Sequence, residues 1–250
     1  MIRLTAKLYK FFYSASYFTD KLEMLLSIII PVFNEELTVG NVIKRTKAVA
    51  ETSGLEHEII VVDDCSKDGS LEVSKKTAGK VHLLKKHMGK GYALRAGFAK
   101  AKGDIIVTID SDGSHRPEEL PLLLAPLLSN QADLVIGSRY SGKKPVSARK
   151  LNAFGVAMFD ALIEFFTKTK VSDSQSGYRA MKSAVLKGMR LDSEGYEIES
   201  EMLVKIARRG FRVKEVPISF EQRTYGRSGL DPLVDGFKIL LSIASAYAGG

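Results

Sequence analysis

Ile105-Ile106-Val107-Thr108-Ile109-Asp110-Ser111-Asp112 is a short run of apolar and β-branched residues that stops abruptly at two carboxylates one residue apart. Such a run reads as a strand buried on both faces, as strands of parallel sheets are, and in those sheets ligands collect beyond the carboxyl ends of the strands. Two aspartates at that edge need a positive partner. A hard divalent cation such as Mg²⁺ or Mn²⁺, itself bound to substrate phosphates, meets the need, because these ions favour oxygen ligands and take few of them from protein. The alternative is a plain polar turn, since Asp-x-Asp alone is common.

On both sides of this strand the pattern alternates. Strand-like runs fall at 26–32, 58–62, 81–84, 105–109 and 134–136, and helical patterns at 37–52, 70–78 and 92–102, with a Pro- and Leu-rich helical stretch before 134. That alternation predicts an α/β fold built on a doubly wound, mostly parallel sheet. No internal repeat or low-complexity linker interrupts it. The expected division is one domain over 25–230, an amphipathic N-terminal segment over 1–24 and a C-terminal amphipathic helix over 231–250. Residues 142–150, rich in Gly, Pro, Ser and Lys, read as a mobile loop.

The composition, 45% hydrophobic and 26% charged over 250 residues, is that of a globular chain with room for a sizeable core. Its single cysteine, Cys65, rules out an internal disulfide and a thiolate metal cage, and four scattered histidines make no zinc signature. Lys and Arg exceed Asp and Glu by 37 − 29 = +8, so the surface attracts anions. No helix-turn-helix, zinc finger or RNA-binding aromatic motif accompanies the excess, which argues against nucleic acid. No apolar run approaches the ~20 residues of a membrane span. Three apolar stripes at helical spacing fit a chain lying on a membrane: Leu4, Leu8, Phe11, Phe12, Ala15 and Phe18; Phe154, Ala157, Met158, Ala161, Leu162, Phe165 and Phe166; and Leu233, Phe237, Leu240, Leu241 and Ala244. Each fits a core-packed helix as well.

Two further strands end in polar clusters, Ile28-Ile29-Ile30-Pro31-Val32-Phe33-Asn34-Glu35-Glu36 and Ile59-Ile60-Val61-Val62-Asp63-Asp64-Cys65-Ser66. Three acidic strand ends in one sheet build one pocket, in which a carboxylate accepts N–H groups of a nucleobase and Phe33 covers its face. Helix capping is the competing role of Asp63 and Asp64, and the favoured one for Asp68.

PVFNEE, VVDDCSKDGS, GKGYALRAGFAKAKGDIIVTIDSDGSHRP, DLVIGSRY, SDSQSGYRA and VPISFEQRTYGRSG, in that order, resemble the family 2 inverting glycosyltransferases of GT-A fold. Within that family they look most like polyprenyl-phosphate mannose synthases, in particular the short dolichol-phosphate mannose synthase catalytic subunits that lack transmembrane helices. The resemblance implies that Pro31, Phe33, Glu35, Val62 and Asp64 hold the nucleotide base and ribose, and that Asp110 and Asp112 hold Mg²⁺ or Mn²⁺ on the donor diphosphate, with Ser111 close by and Ser114 a further ligand. Arg223 matches a position that contacts donor phosphate, and Arg139 and Arg149 are the expected contacts of an acceptor phosphate. Asp112, Arg139 and Arg223 are the implied catalytic residues. The implied substrates are GDP-mannose, or a UDP-sugar, and a dolichyl or polyprenyl phosphate, used at the cytoplasmic face of a membrane by a peripheral enzyme that docks directly or on a small membrane-anchoring protein.

Two features depart from or complicate that pattern. Where the family reads Gly-x-Ser-Lys, this chain has Gly226-Arg227-Ser228-Gly229, so a phosphate-facing lysine is missing. Gly89-Lys90-Gly91 lacks the spacing of a P-loop and reads as a turn before the next helix. Asp173 is expected to make a structural contact to the 176–179 turn, and Glu194, Glu197, Glu199 and Glu201 are expected at a sugar pocket's edge or simply solvated. A non-catalytic scaffold subunit is the alternative of another class, which retention of Asp110, Asp112, Arg139 and Arg223 disfavours.

Overall fold

The computed structural model describes residues 24–78, 80–141, 150–221, 223, 229 and 231–249. Its strands β1 (Leu25–Val32), β2 (Glu56–Asp63), β3 (Val81–Leu83), β4 (Ile105–Thr108), β5 (Leu134–Ser138), β6 (Arg179–Lys182) and β7 (Val213–Pro217) form one seven-stranded sheet in the order β3-β2-β1-β4-β6-β5-β7. β1 pairs in parallel with β2 and with β4, β2 with β3, and β5 with β7, whereas β6 runs antiparallel between β4 and β5. The expected mostly parallel α/β sheet is therefore observed. The antiparallel β6 was not foreseen, because a four-residue strand flanked by Arg179 and Lys182 carries no apolar run to announce it.

Seven helices among the described residues cover the sheet: α1 (Val39–Thr52), α2 (Ser70–Ala78), α3 (Lys90–Phe98), α4 (Leu120–Leu128), α5 (Lys150–Thr167), α6 (Ile198–Arg208) and α7 (Val234–Ala248). The unbroken apolar runs of β1, β2 and β4 follow from burial on both faces. Along β1, Leu26, Ile28, Ile30 and Val32 pack with Val39, Val42 and Ile43 of α1 and the leucines of α4, while Ile29 points the other way toward Leu94 of α3 and the α6 core residues. β4 divides likewise, Ile105 and Val107 to the first face and Ile106 to the second. The result is a three-layer sandwich with two cores.

α7 belongs to the second core through Ile239, Ile243 and Ala246, with Leu233 before its first turn and Val234, Phe237 and Leu241 exposed on its outer side. α5 does the same: Ile163 is buried while Met158 and Phe165 are exposed. Of the second stripe Ala157, Met158, Ala161 and Phe165 are exposed and Leu162 and Phe166 half-buried, and of the third only Leu240 is half-buried, the others being exposed. The buried residues of these helices, Phe159 and Ile163, and Ile239, Ile243 and Ala246, lie beside the stripes. The N-terminal stripe, and Arg149 with the loop before it, lie outside the described residues. No described helix is long and apolar enough to cross a membrane.

β1 is the central strand on which both cores close, and the sheet order reverses between β1 and β4, which places a crevice at their carboxyl ends. Ile29, fully buried and paired with Ile60 and Thr108, tests this arrangement. Ile29→Ala is expected to lower the free energy of unfolding by about 2–5 kcal/mol, read as a fall in the urea midpoint with an unchanged slope; a loss below about 0.5 kcal/mol would place the packing load elsewhere.

Candidate active site

A cavity of roughly 660 Å³ opens at the carboxyl ends of β1, β2 and β4. Its size suits a small-molecule ligand. Pro31, Phe33, Glu35, Asp64, Asp110, Ser111, Asp112 and Arg223, all named from the sequence, line it together. The strand ends are tied by the ladder and beyond it: Asp64 N–H donates to Val32 O at 2.8 Å, Ile109 N–H to Ile29 O at 3.1 Å, and the Ser111 hydroxyl to Pro31 O at 2.8 Å.

After β1 the chain turns through Asn34 at φ 54°, and Glu35 is fixed by its N–H donating to Ser70 Oγ at 2.6 Å. The Thr38 hydroxyl donates to Glu35 Oε2 at 3.0 Å and Arg223 ion-pairs with Glu35 Oε1. Burial raises the Glu35 carboxyl above its ordinary range, and Arg223 and Thr38 offset part of that. Asp68 is structural, its Oδ1 accepting from the Ser70 N–H and hydroxyl, and Asp63 closes a turn by accepting from the Ser66 N–H at 2.8 Å. Asp64 differs: its carboxylate accepts the N–H groups of Met88 and Gly89, each at 2.7 Å, and meets His87 Nδ1 at 2.8 Å. Burial raises its pKa against the pull of those donors. The His87 ring stacks on Phe33, centroids 3.9 Å apart and planes within 19°, so the aromatic platform has two members.

Lys90 was read as part of a turn; it is the first residue of α3 and stands inside the site. Its Nζ lies 2.7 Å from Asp110 Oδ1 and 2.7 Å from Glu199 Oε1. The flanking glycines make this possible. A Cβ on Gly89, which sits at φ 96°, would fall 2.4 Å from Glu194 O, and one on Gly91 would fall 2.6 Å from Ser193 O, so only a Gly-Lys-Gly start lets α3 press against the segment before α6. Gly177 does the same service across the site, its Cβ position lying 2.4 Å from Asp110 Oδ2. Burial opposes the Lys90 charge, but the two carboxylates outweigh it and hold its pKa above the ordinary value. Burial would likewise raise Asp110; the Lys90 charge, with His115 3.7 Å away, reverses this and holds the carboxyl well below the usual range.

The acidic cluster before and within α6 is not a solvated one. Glu199 and Glu201 are 2% and 4% exposed; Glu201 accepts from the N–H groups of Asp192 and Ser193 and pairs with Lys205, four residues on. Glu194 alone of the four is exposed. A helix-start run of glutamates reads as solvent-facing until the distant cation that pairs with one of them is known.

Three named residues sit elsewhere. Val62 is fully buried in the second core. Ser114 supports Asp112, donating to its Oδ1 from N–H at 3.0 Å and from the hydroxyl at 2.7 Å. Arg139 is outside the cavity wall and grips the fully buried Asp173 through Nε at 2.7 Å and Nη2 at 2.6 Å, with its guanidinium over Phe220. Asp173 also meets the expected turn, its carbonyl accepting the Ser176 N–H at 3.3 Å. The sequence reading missed Arg179, completely buried and donating to the carbonyls of Ser174, Ser176 and Glu199, where it pins that turn to α6.

Among the described residues no three His, Cys, Asp or Glu side chains form a metal cage. The donor set suits a different arrangement. Asp110 Oδ1 is taken by Lys90 and Asp112 Oδ1 by Ser114, which leaves Asp110 Oδ2, 3.7 Å from His115 Nε2, and Asp112 Oδ2, 4.0 Å from Arg223 Nη1. That fits a small oxygen-seeking cation taking one or two protein carboxylates and completing its shell from phosphate oxygens and water.

The fold is that of a sugar transferase. The glycosyl transferase family 2 model matches residues 27–190, and the chain belongs to that family. An undecaprenyl-phosphate mannosyltransferase of Micrococcus luteus is 36% identical over 82% of this chain and 87% of its own length, and a dolichol-phosphate mannosyltransferase of Pyrococcus furiosus is 34% identical over 83% of this chain and 59% of its own. The crystal structure of glucosyl-3-phosphoglycerate synthase from Mycobacterium tuberculosis in complex with Mn²⁺, uridine diphosphate and phosphoglyceric acid matches with a TM-score of 0.75 at 24% identity, covering 92% of this chain and 81% of that one. The protein is a glycosyltransferase of GT-A fold.

Lys90→Met removes the cation from a mostly buried pair and is expected to cost on the order of 3 kcal/mol at pH 7, with Lys90→Arg costing less. A carboxyl whose folded pKa is depressed stabilises the fold above its unfolded pKa of about 3.9 and loses that contribution as pH falls toward the folded value. The stability gap between wild type and Lys90→Met should therefore narrow below about pH 4. Urea unfolding at several pH values measures it, and a gap constant from neutral to acid pH would show that the Lys90–Asp110 pair does not carry the difference.

Proposed function

We propose that the protein transfers a single hexose, mannose from GDP-mannose, onto a dolichyl or polyprenyl phosphate at a membrane surface, with inversion at the anomeric carbon. The observation that carries this reading is the single cavity that joins an aromatic platform and a buried carboxylate, Phe33 with His87 and Asp64, to the paired carboxylates Asp110 and Asp112 and the cations Lys90 and Arg223. Such a wall suits a base, a diphosphate and a sugar in one extended ligand. The similarity to two lipid-phosphate mannosyltransferases supports the acceptor.

In the proposed reaction an oxygen of the acceptor phosphate attacks the anomeric carbon from the face opposite the leaving nucleoside diphosphate. The bond from that carbon to the β-phosphate oxygen breaks, and the electron pair stays with the diphosphate. A lipid phosphate monoester has a second pKa of about 6 and is largely dianionic at neutral pH, so no general base is required. Charge building on the leaving diphosphate is met by Arg223, beside Asp112, while Lys90 keeps Asp110 from adding an uncompensated negative charge there. Mg²⁺ or Mn²⁺, held by Asp112 with Asp110 beside it, supplies Lewis-acid neutralisation of the diphosphate when bound. Arg139 holds its geometry through Asp173 with Nε and Nη2, and Nη1, which takes no part in that pair, is the proposed contact for the acceptor phosphate, joined by Arg149.

The proposed seat on the membrane is the outer side of α5 and α7. Phe165, Leu233, Val234, Phe237 and Leu241 are each more than half exposed there, and the helices are joined by the stack of Phe166 on Tyr247 at 4.6 Å. Exposed apolar side chains on neighbouring helices of a chain with net charge +8 suit an anionic lipid surface.

Purified protein given polyprenyl phosphate in detergent, a panel of labelled GDP- and UDP-sugars, and Mg²⁺, Mn²⁺ or chelator is expected to form lipid-linked mannose from GDP-mannose only with metal. Asp112→Ala should reduce the rate at least about 100-fold while the thermal unfolding curve stays that of a folded protein. Product from a UDP-sugar alone would replace the donor, and undiminished turnover with chelator would remove the metal from the reading. Separately, Phe237→Ser with Leu241→Ser is expected to release the protein from anionic liposomes in a flotation assay without changing its melting curve; unaltered flotation would move the membrane contact away from α7.

A further inference from the structure

Arg223 reaches the cavity from the far edge of the sheet. β7, the strand before it, is separated from β1 by β5, β6 and β4, so the chain after β7 crosses their ends to bring a guanidinium beside Glu35 and Asp112. Resting on the glycosyl-transfer reading, in which Arg223 meets the donor diphosphate, we infer that Glu119 is a positioning residue: by holding this crossing segment it sets where the Arg223 charge lies.

The crossing segment, 218–221, is tied down residue by residue. The Ile218 N–H donates to Ser138 O at 3.0 Å, and the Ser219 N–H donates to both oxygens of Glu119, at 3.0 and 2.9 Å. Phe220 forms an antiparallel bridge with His115, their rings edge to face at 5.7 Å, and the Glu221 N–H donates to Ser114 O at 2.8 Å. All but the first of these ties go to 114–119, the stretch that also orients Asp112 through Ser114. One short stretch therefore sets both the carboxylate and the guanidinium that border the proposed diphosphate. The backbone ties would form with many sequences, whereas Glu119 supplies a half-buried, charged one, and a hydrogen bond to an ionised acceptor is about twice as strong as a neutral one. The other side-chain tie, Arg116 Nε to Glu221 Oε1 at 2.6 Å, lies at the surface, where such pairs contribute little. Glu119 itself is fixed. It ends a short helical turn, 117–119, whose Pro117 is buried and accepts at its carbonyl the hydroxyl of the buried Tyr178 at 3.1 Å, and Leu120 after it belongs to the first core. Burial raises the Glu119 carboxyl above its ordinary range, a cost that a glutamate on the open surface would not carry.

Isothermal titration of the full chain with Mg²⁺ present compares GDP with GMP and UDP with UMP, so that one ligand of each pair carries the β-phosphate and the other lacks it. Glu119→Ala is expected to weaken whichever diphosphate the wild type binds by about 10-fold, and its monophosphate by less than about twofold. Glu119→Gln keeps an acceptor for the Ser219 N–H but not the charge; it is expected to weaken the diphosphate by about threefold, and it decides the question alone if the alanine variant shows no folded melting curve. Arg223→Ala is expected to weaken the same diphosphate by about 10- to 100-fold, and in that background Glu119→Ala should add nothing, because Glu119 acts through Arg223. Equal weakening of mono- and diphosphate, no weakening in either Glu119 variant, or a full additional loss in the Arg223→Ala background overturns the positioning role and leaves the transferase reading standing. An Arg223→Ala variant that binds the diphosphate as the wild type does removes Arg223 from the diphosphate, and the inference with it. A folded wild type that binds none of the four nucleotides overturns both the inference and the transferase reading.

Discussion

Lys90 is the charge on which the geometry of the site depends. Asp110 comes from the end of β4 and Glu199 from α6, two carboxylates far apart in sequence, and both are drawn within 2.7 Å of one ammonium. Without a cation between them they would repel in a place where little water can screen them. With it, the sheet edge, the start of α3 and the start of α6 become one unit. Further contacts serve the same end: Gly89 and Gly91 let the backbones approach, Gly177 clears Asp110 on its other side, and Arg179 fastens the 174–176 turn to the carbonyl of Glu199. Such a buried ion pair adds little net stability against an apolar alternative, but its loss on one side is costly, and that asymmetry suits a device for position.

The same pairing sorts the two aspartates of Asp-x-Asp into different jobs. Asp110 is neutralised from within the protein, held ionised by Lys90 and enclosed by Gly177. Asp112 is oriented by Ser114 through one oxygen and presents the other to the cavity. The motif therefore offers ligands less of its formal charge than two bare carboxylates would. A cation held here would need phosphate oxygens for the remainder, and its affinity would then depend on the ligand that brings them.

What the sequence discloses here follows from how local each signal is. The strands β1, β2 and β4 were legible because burial on both faces writes a continuous apolar run, and Phe33, Glu35, Asp64, Asp110 and Asp112 were legible because each follows such a run directly. Lys90 was not, since its meaning comes from Asp110 and Glu199, neither of them its neighbour in the chain. The available signal was the glycine on each side of it, a mark of close backbone approach that also occurs in ordinary turns. Glu199 and Glu201 looked solvated for the same reason. The antiparallel strand β6 escaped because its four residues are framed by Arg179 and Lys182, whose partners, carbonyls of the 174–199 region and Asp133, are assembled only in the fold. Arg139 pointed to a phosphate by its motif, and the structure adds the buried Asp173 that fixes its direction.

Helical periodicity gives α7 two faces with unrelated surroundings. Asp235, Ile239, Ile243 and Ala246 turn inward, Asp235 to the cavity and the others to the second core, while Val234, Phe237 and Leu241 turn outward and stay bare. Neighbouring residues of one rigid first turn thus touch the cavity on one side and the solvent on the other. Any movement of the outer face is carried to Asp235 without an intervening joint, because a helix turn transmits displacement as a unit. Packing of Ile239 and Ile243 against α6 limits that displacement to what the core allows. A helix that borders the cavity on one face and is bare on the other therefore links the site mechanically to whatever covers that bare face.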